Sequence, residues 1–496
     1  MGAIAGIAAM LLCLRAGRYG YFGDELYFLS AGRRPAVGYA DQGPLVPLLA
    51  RGIAWIEPES LVALRMPSIV CGIVAIWVCA GIAREFGGGK AAQRLAAVAF
   101  ATSPFLITSA ATLSTFALDA AFSALLVWML VRWARIREDR LLVWAAVCAV
   151  VDLQIKLLLP VLGVGIVLGV LVFGPRAVFR RPALWMAVVV AALTVAPSLR
   201  WQARHDWPQL AMGPVIANEQ RAATGGVIGL PVQWALLLGV LGSPLVFGGL
   251  WFLLRSARGR AYRFVAVMVL VQALFVIITD SRPYYLAGLF PVLLAAGAVW
   301  WTEREHRLWR TVIGAMAVVV AVVIAVTVIL ILPLPASALH EPTNSQQGVS
   351  ARMRLFGMDG WNELVDDVSA AASELPPEER SQAVVIAQTY WQASALDQLG
   401  VDLPPVFSPN RGFAYFGRPP ATATTVLYVG SAASESALHR DFRTVQPVAG
   451  LDDPLGFPGI TRHLVIFRCE HPLRSWSEIW PAWRTTALDS AERTVR

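Results

Sequence analysis

The chain has 496 residues, of which 57% are hydrophobic and only 15% charged, against about 25% charged in an ordinary globular protein. Its apolar residues gather into runs such as 313–333, longer than the ~18 uncharged residues that suggest a bilayer span. A soluble cytosolic enzyme, a disordered chain and a secreted disulfide scaffold are thereby excluded. The net charge is +8, and of the 41 lysines and arginines only Lys90 and Lys156 are lysine. A basic balance can point to nucleic acid. Here the arginines sit in short clusters between apolar runs, where membrane topology puts them, so no nucleic-acid partner is expected. Of the five cysteines, Cys13, Cys71, Cys79 and Cys148 lie in apolar runs and Cys469 stands alone. Neither a disulfide framework nor a thiolate metal site is supported.

In chain order, hydropathy predicts about eleven spans: 1–14, 61–83, 91–111, 113–131, 141–155, 157–173, 184–199, 227–254, 264–279, 284–301 and 311–333. The first is short, since fourteen residues cover roughly 21 Å of a ~30 Å core. It lacks a basic n-region and a small-residue cleavage site, so a signal peptide fits poorly. The expectation is a shallow helix or a start further upstream. Alternate loops carry Arg84/Lys90/Arg94, Arg132/Arg135/Arg137/Arg140, Arg176/Arg180/Arg181, Arg255/Arg258/Arg260/Arg263 and Arg304/Arg307/Arg310. By the positive-inside rule these loops are cytoplasmic. Segments 15–60, 200–226, 280–283 and 334–496 then face outward. The tail from 334 has Pro-Pro pairs, dispersed charge, strand-like runs at Ala383–Ala387, Thr425–Val429 and His463–Phe467, and helix-like stretches at 361–374 and 392–399. The expected class is mainly α. It is a multi-pass membrane protein with a membrane unit at 1–333, an outer loop at 15–60, and a small extracytoplasmic α/β domain at 334–496.

The first outer loop holds adjacent acids, Asp24 and Glu25, followed by Tyr39-Ala-Asp41-Gln42-Gly43-Pro44. Acids at the membrane line polar cavities, and one could serve as general base toward a hydroxyl. Equally, Asp24 or Glu25 could cap an interfacial helix. Asp119 falls about two turns into an apolar span and needs a partner or water. Ser114 or a neighbouring span could supply a hydrogen bond. Asp152 and Lys156, spaced i and i+4, could pair. Lys156 could instead snorkel or ligate an anion, since a compact ammonium suits a phosphate. Arg200-Trp201-Gln202-Ala203-Arg204-His205-Asp206-Trp207 and Asp280-Ser281-Arg282-Pro283-Tyr284-Tyr285 are outer-face clusters. They suit a phosphate at headgroup level or an interfacial aromatic belt.

These segments resemble the C-type membrane glycosyltransferases that use polyprenyl-phosphate sugars. More narrowly, they resemble glycosyltransferase family 39, with its protein O-mannosyltransferases and lipid A aminoarabinose transferases. The resemblance is carried by Gly23-Asp24-Glu25-Leu-Tyr-Phe-Leu, Tyr39-Ala-Asp41-Gln42-Gly-Pro-Leu, Arg65-Met-Pro-Ser68, Thr115-Phe-Ala-Leu-Asp119, Trp201-Gln-Ala-Arg-His205-Asp-Trp-Pro208 and Arg282-Pro-Tyr-Tyr285. It implies that Asp24 is the base, that Glu25 orients it, and that Asp119 is a second acid of the same cavity. It implies that Lys156, His205, Arg282, Tyr284 and Tyr285 bind the donor phosphate and head group, with Tyr39, Asp41 and Gln42 supporting the loop. Two departures stand out. Gly43 replaces a proline of the familiar Asp-Gln-Pro-Pro wording and is expected to loosen the turn. An Asn-Tyr-Gly-Glu-Ala-Gly stretch of relatives reads here Thr389-Tyr390-Trp391-Gln392-Ala393-Ser394, although Pro405 to Phe413 still resembles their tails.

The resulting expectation is an inverting glycosyltransferase of the bacterial plasma membrane. It would move a monosaccharide from a polyprenyl-phosphate donor to a hydroxyl on a protein, glycan or lipid acceptor at the outer face. A divalent Mg²⁺ or Mn²⁺ could sit among Asp24, Glu25 and Asp119; no His/Cys spacing supports zinc. A transporter or flippase of a lipid-linked sugar is the competing reading. Against it stand the lack of Gly/Pro-interrupted spans in matching halves and the clustering of the acids on one face. An envelope scaffold with a vestigial cavity is a third reading.

Overall fold

A backbone in lipid must satisfy its own hydrogen bonds, so long apolar runs fold as helices. The computed structural model describes residues 1–304, 308–339, 346–452 and 456–488; Arg307 of the last basic cluster lies outside them. The chain opens with α1 (Gly2–Ala16), followed by α2 (Gly23–Arg33), α3 (Leu45–Ile56), α4 (Leu61–Glu85), α5 (Lys90–Ala101), α6 (Pro104–Ser109) and α7 (Thr115–Ile136). Then come α8 (Arg140–Leu153), α9 (Leu159–Phe173), α10 (Pro182–Arg204), α11 (Pro208–Thr224), α12 (Leu230–Arg255), α13 (Arg263–Thr279), α14 (Phe290–Thr302) and α15 (Leu308–Ile331).

Among the described residues, seven helices are long and apolar enough to cross a membrane. They are built on α4, α7, α10, α12, α13, α14 and α15. The other four predicted runs are short or broken. The run 91–111 stops at Thr102 because Pro104 has no amide to continue the ladder, and Ser103 caps a new helix at the Leu106 amide (3.3 Å). Segment 200–226, expected as a loop, is largely helical: α10 continues to Arg204, and α11 follows a turn at Asp206 and Trp207, both with positive φ. Arginines there mark the end of the apolar run, not the end of the helix.

The two ends of the bundle differ in charge. At one end Glu85 of α4 pairs with Arg132 and Arg135 of α7, Arg181 with Asp139, and Arg258 with Glu303. The arginine-rich loops thus meet one another. At the other end α4 and α7 meet α2, through Arg65 and Leu113.

The C-terminal region comprises α16 (Gln346–Phe356), α17 (Trp361–Ser373), α18 (Pro377–Arg380), β1 (Ala383–Ala387), α19 (Tyr390–Leu399), β2 (Val406–Phe407), β3 (Thr425–Ser431), α20 (Glu435–Asp441), β4 (Phe442–Leu451), β5 (Leu464–Pro472) and α21 (Trp476–Trp483). Its sheet has the order β2-β1-β3-β5-β4, parallel from β2 to β3 and antiparallel beyond. The three strand-like runs predicted from sequence become β1, β3 and β5, the last two extended. β2 and β4 were not anticipated. β4 is an edge strand with Pro447 and an irregular register, which hides it from pattern reading. The sheet region clasps α2: Asp397 of α19 takes Ser30 (2.7 Å) and both Arg34 nitrogens (2.6 and 3.0 Å).

Candidate active site

The adjacent acids of α2 divide their tasks. Glu25 is fully buried, and its carboxylate meets Arg65 in a two-pronged pair (2.9 and 2.7 Å). It also accepts the Phe22 and Leu113 amides (3.0 and 2.8 Å). Glu25 therefore caps α2 and ties it to α4 and to the entry of α7. Asp24, one residue earlier, points elsewhere. Its Oδ1 accepts the Tyr390 hydroxyl (2.6 Å) and the Trp391 indole N–H (2.8 Å). Among the described residues its Oδ2 accepts no hydrogen bond.

Tyr390 and Trp391 stand in the stretch that departs from the familiar tail wording. Burial, with Asp24 next, holds the Tyr390 hydroxyl well above its ordinary pKa, so it stays protonated and donates. Gly23 makes the contact with Trp391 feasible, because a Cβ there would lie 2.4 Å from the indole ring. No pairwise spacing in the sequence links residues 24 and 390; the signal missed was a hydroxyl and an indole at the start of a capped helix.

The loop from 39 to 44 is pinned from several sides. The Tyr39 hydroxyl donates toward the Ala31 carbonyl (3.0 Å) and accepts the Ala36 amide (3.1 Å), while its own carbonyl takes Gln202 (2.7 Å). Asp41 accepts the Tyr27 hydroxyl (3.0 Å). The Gln42 side-chain amide is buried, and among the described residues neither its nitrogen nor its oxygen has a partner. Gly43 corrects the expectation of a loosened turn. Its amide donates to the Ile155 carbonyl (2.9 Å), which a proline could not do, and a Cβ would fall 2.1 Å from the Gln154 oxygen. The glycine tightens the loop onto the turn between α8 and α9. At 1.5 Å per residue those helices are only about 21–23 Å long, shorter than a ~30 Å hydrocarbon core.

Loss of water pushes the Asp41 carboxyl up to about 6 from its ordinary 3.8; Asp24 pushes the same way, while Tyr27 and Arg411 pull back. As pH falls from about 6 toward 4, the folded chain takes up a proton that the unfolded chain still lacks, so stability rises. Asp41→Asn is expected to flatten that part of the pH profile in thermal unfolding of the detergent-purified protein. A wild-type-minus-variant difference that stays constant across the window would refute the shift.

Lys156 lies in this turn between α8 and α9. Its ammonium is 4.3 Å from the Tyr285 ring centre and 5.8 Å from that of Tyr284, and within electrostatic reach of Asp119. No Asp152–Lys156 side-chain pair, one of the alternatives considered, is found among the described residues: α8 ends at Leu153, and although the Lys156 amide still bonds the Asp152 carbonyl (3.0 Å), the ammonium lies by Tyr285. Instead, Asp152 accepts Ser123 (2.9 Å) and abuts Asp119. Ser114, the other partner considered for Asp119, bonds Ser109 and Ser68. Asp119, Ser123, Gln272 and Tyr285 line one small cavity with leucines of α9. Tyr284 is within electrostatic reach of Lys156, Arg282 and Asp24 together, so charged residues from distant segments gather around one ring.

Arg282 pairs with Glu219 of α11 (2.6 Å), which also holds Arg411 of the tail. His205 is set apart: its ring stacks on Trp201 (4.1 Å) and its Nδ1 meets the Trp201 carbonyl (2.8 Å). Among the described residues no three His, Cys, Asp or Glu could jointly hold a metal ion. Both Glu25 oxygens are engaged by Arg65, so Asp24, Glu25 and Asp119 do not offer a shared cage. Sequence reasoning missed Tyr390, Trp391, Asp152, Glu219 and Arg411 as members of this neighbourhood.

Comparison with known proteins adds the following. Residues 41–201 match the family profile described as dolichyl-phosphate-mannose-protein mannosyltransferase. An alpha-(1->3)-arabinofuranosyltransferase of Mycolicibacterium smegmatis is 30% identical over 165 residues, which is 33% of this chain and 36% of that protein. The matched stretch thus spans about a third of that curated relative. The crystal structure of ArnT from Cupriavidus metallidurans in the apo state aligns with a TM-score of 0.63 at 15% identity, covering 94% of this chain and 97% of that one. The undecaprenyl phosphate-bound form of the same protein gives 0.61 over the same shares. The mycobacterial arabinofuranosyltransferase AftD gives 0.52 at 14% identity, covering 95% of this chain and 41% of that one. The shared feature is the fold, a polytopic helical bundle with a C-terminal sheet region.

Proposed function

We propose that this chain, built on the C-type membrane glycosyltransferase fold, is an inverting glycosyltransferase of the bacterial plasma membrane. It moves a monosaccharide from a polyprenyl phosphate to an acceptor hydroxyl at the outer face. The observation that carries the reading is Asp24, with one carboxylate oxygen held by Tyr390 and Trp391 and the other free among the described residues, and with Tyr284 in electrostatic reach of both Asp24 and Lys156. The arginine-rich end of the bundle is cytoplasmic, and the tail from 334 is extracytoplasmic. The family profile over 41–201 supports the family 39 branch. The arabinofuranosyltransferase relative keeps a pentose donor beside a hexose.

In this mechanism Asp24 Oδ2 takes the acceptor hydroxyl proton as that oxygen attacks the anomeric carbon. The bond from that carbon to the phosphate oxygen breaks, and polyprenyl phosphate leaves with the electron pair. Lys156 and Arg282 stabilise the charge gathering on the departing phosphate; preorganised groups of this kind are worth several kcal/mol each in a site shielded from water. Glu25 acts through Asp24 as a positioning residue. The free amide of Gln42 is assigned to a sugar hydroxyl, since buried polar groups take partners. No step is routed through a metal.

The test uses full-length protein in detergent with radiolabelled polyprenyl-phosphate hexoses and pentoses and a panel of protein, glycan and lipid acceptors. Labelled acceptor with stoichiometric release of polyprenyl phosphate is expected. Movement of lipid-linked sugar across vesicles, with no product from any donor, would favour a transporter instead.

A further inference from the structure

We propose that Arg282 and Arg411 together form a subsite for the phosphate of the lipid-linked substrate, and that Glu219 is an internal carboxylate which that phosphate replaces. The inference rests on the donor class proposed above and adds one ligand and one competitor to it.

Glu219 divides its two oxygens between guanidinium groups from separate parts of the chain. Oε2 takes Arg282 Nη2 (2.6 Å) and Oε1 takes Arg411 Nη2. One negative charge thus serves two positive ones, an excess of +1 within the trio itself, with Asp24 and Asp41 in electrostatic reach of Arg411. Paired arginine forks match phosphate oxygens in shape and charge. A sugar phosphodiester carries one negative charge, and the monoester left after transfer carries up to two. The subsite therefore holds the leaving phosphate more strongly than the incoming donor, which is the sense that assists bond breaking.

Two observations argue against Glu219 being only a brace. First, α11 is tied to the 280–282 segment by another pair, Arg221 with Asp280 (2.8 Å), so docking of the helix does not hang on Glu219. Second, Arg411 is fixed without it. Its Nε donates to the Thr486 carbonyl (3.1 Å) and its guanidinium lies over the Tyr390 ring (5.4 Å). The Tyr390 hydroxyl in turn bonds Asp24. A phosphate on Arg411 would sit one aromatic ring away from the base. The side chains of Arg282, Glu219 and Arg411 are 26%, 16% and 11% exposed, so each keeps some contact with solvent.

The experiment measures binding of undecaprenyl phosphate to the purified full-length protein, with undecaprenol as the uncharged control; it needs no sugar transfer. Glu219→Gln is expected to tighten binding roughly three- to tenfold. Arg411→Gln and Arg282→Gln are expected to weaken it about tenfold or more. Binding of the control should change in none of them. Should Glu219→Gln fail to fold, Glu219→Asp keeps the charge, cannot span both arginines, and should also tighten binding. Weaker or unchanged binding in the Glu219 variants would overturn the competitor role, and unchanged binding in Arg411→Gln would overturn the subsite. No binding by the wild type would overturn the donor class and the subsite together, whereas wild-type binding that no variant alters would overturn the subsite alone.

Discussion

Asp24→Asn is expected to abolish sugar transfer, with at least the roughly 10²–10⁴-fold loss that follows removal of a general base. The substitution is nearly isosteric. An amide oxygen can still accept the Tyr390 hydroxyl and the Trp391 N–H that Oδ1 accepts now (2.6 and 2.8 Å). Glu25, which caps α2, is untouched. The variant should therefore keep the wild-type thermal unfolding midpoint and its binding of undecaprenyl phosphate, and lose turnover alone. Transfer at the wild-type rate would remove Asp24 from the chemistry. Loss of binding together with turnover would show Asp24 to be part of the architecture of the site.

Arg65→Met is expected to give the largest loss of stability. All five guanidinium N–H groups of Arg65 are used: two on Glu25 (2.9 and 2.7 Å), and three on the carbonyls of Ala16, Tyr19 and Gly20 (2.6, 3.0 and 2.7 Å). Both side chains of the pair are fully enclosed. Removing one partner leaves a buried carboxylate without its counter-charge, a change worth about 3–5 kcal/mol, and strands three carbonyls besides. Arg65→Lys should be nearly as harmful, since an ammonium has three donors for five acceptors. The double variant Arg65→Met with Glu25→Leu should recover only part of the loss, because the Phe22 and Leu113 amides would still lack their acceptor. Thermal unfolding in detergent reads all three. A wild-type midpoint in Arg65→Met would show the pair to be dispensable.

The apolar character of the spans, the outer ends holding Asp24 and Arg282, and the position of β1 are legible in the sequence because each rests on local pattern. What was not legible depends on distant approach. Spacing alone leaves Asp24 and Glu25 alike, and the resemblance makes one the base and the other its support; that Arg65 on α4 commits Glu25 is a contact no local pattern carries. The i, i+4 spacing of Asp152 and Lys156 suggested an ion pair, yet the helix stops between them, and no local signal of that stop was read. Gly43 read as slack; the Gln154 oxygen that it must clear comes from more than a hundred positions further along. Tyr390 and Trp391 read as the loss of a familiar stretch, since their partner is a carboxylate near the other terminus. Helix α11 was hidden for a different reason: its charged and polar residues resemble a loop at the edge of an apolar run.

The bond between Asp24 and Tyr390 joins positions 366 residues apart, and this sets an order of events during biosynthesis. Asp24 leaves the ribosome early, but the hydroxyl and indole that orient it arrive only after the seven long apolar helices of the described residues have been made. A nascent chain halted before that point holds an unaimed carboxylate. On the proposed mechanism, competence is thereby conferred last, and partly made molecules are kept from turning over.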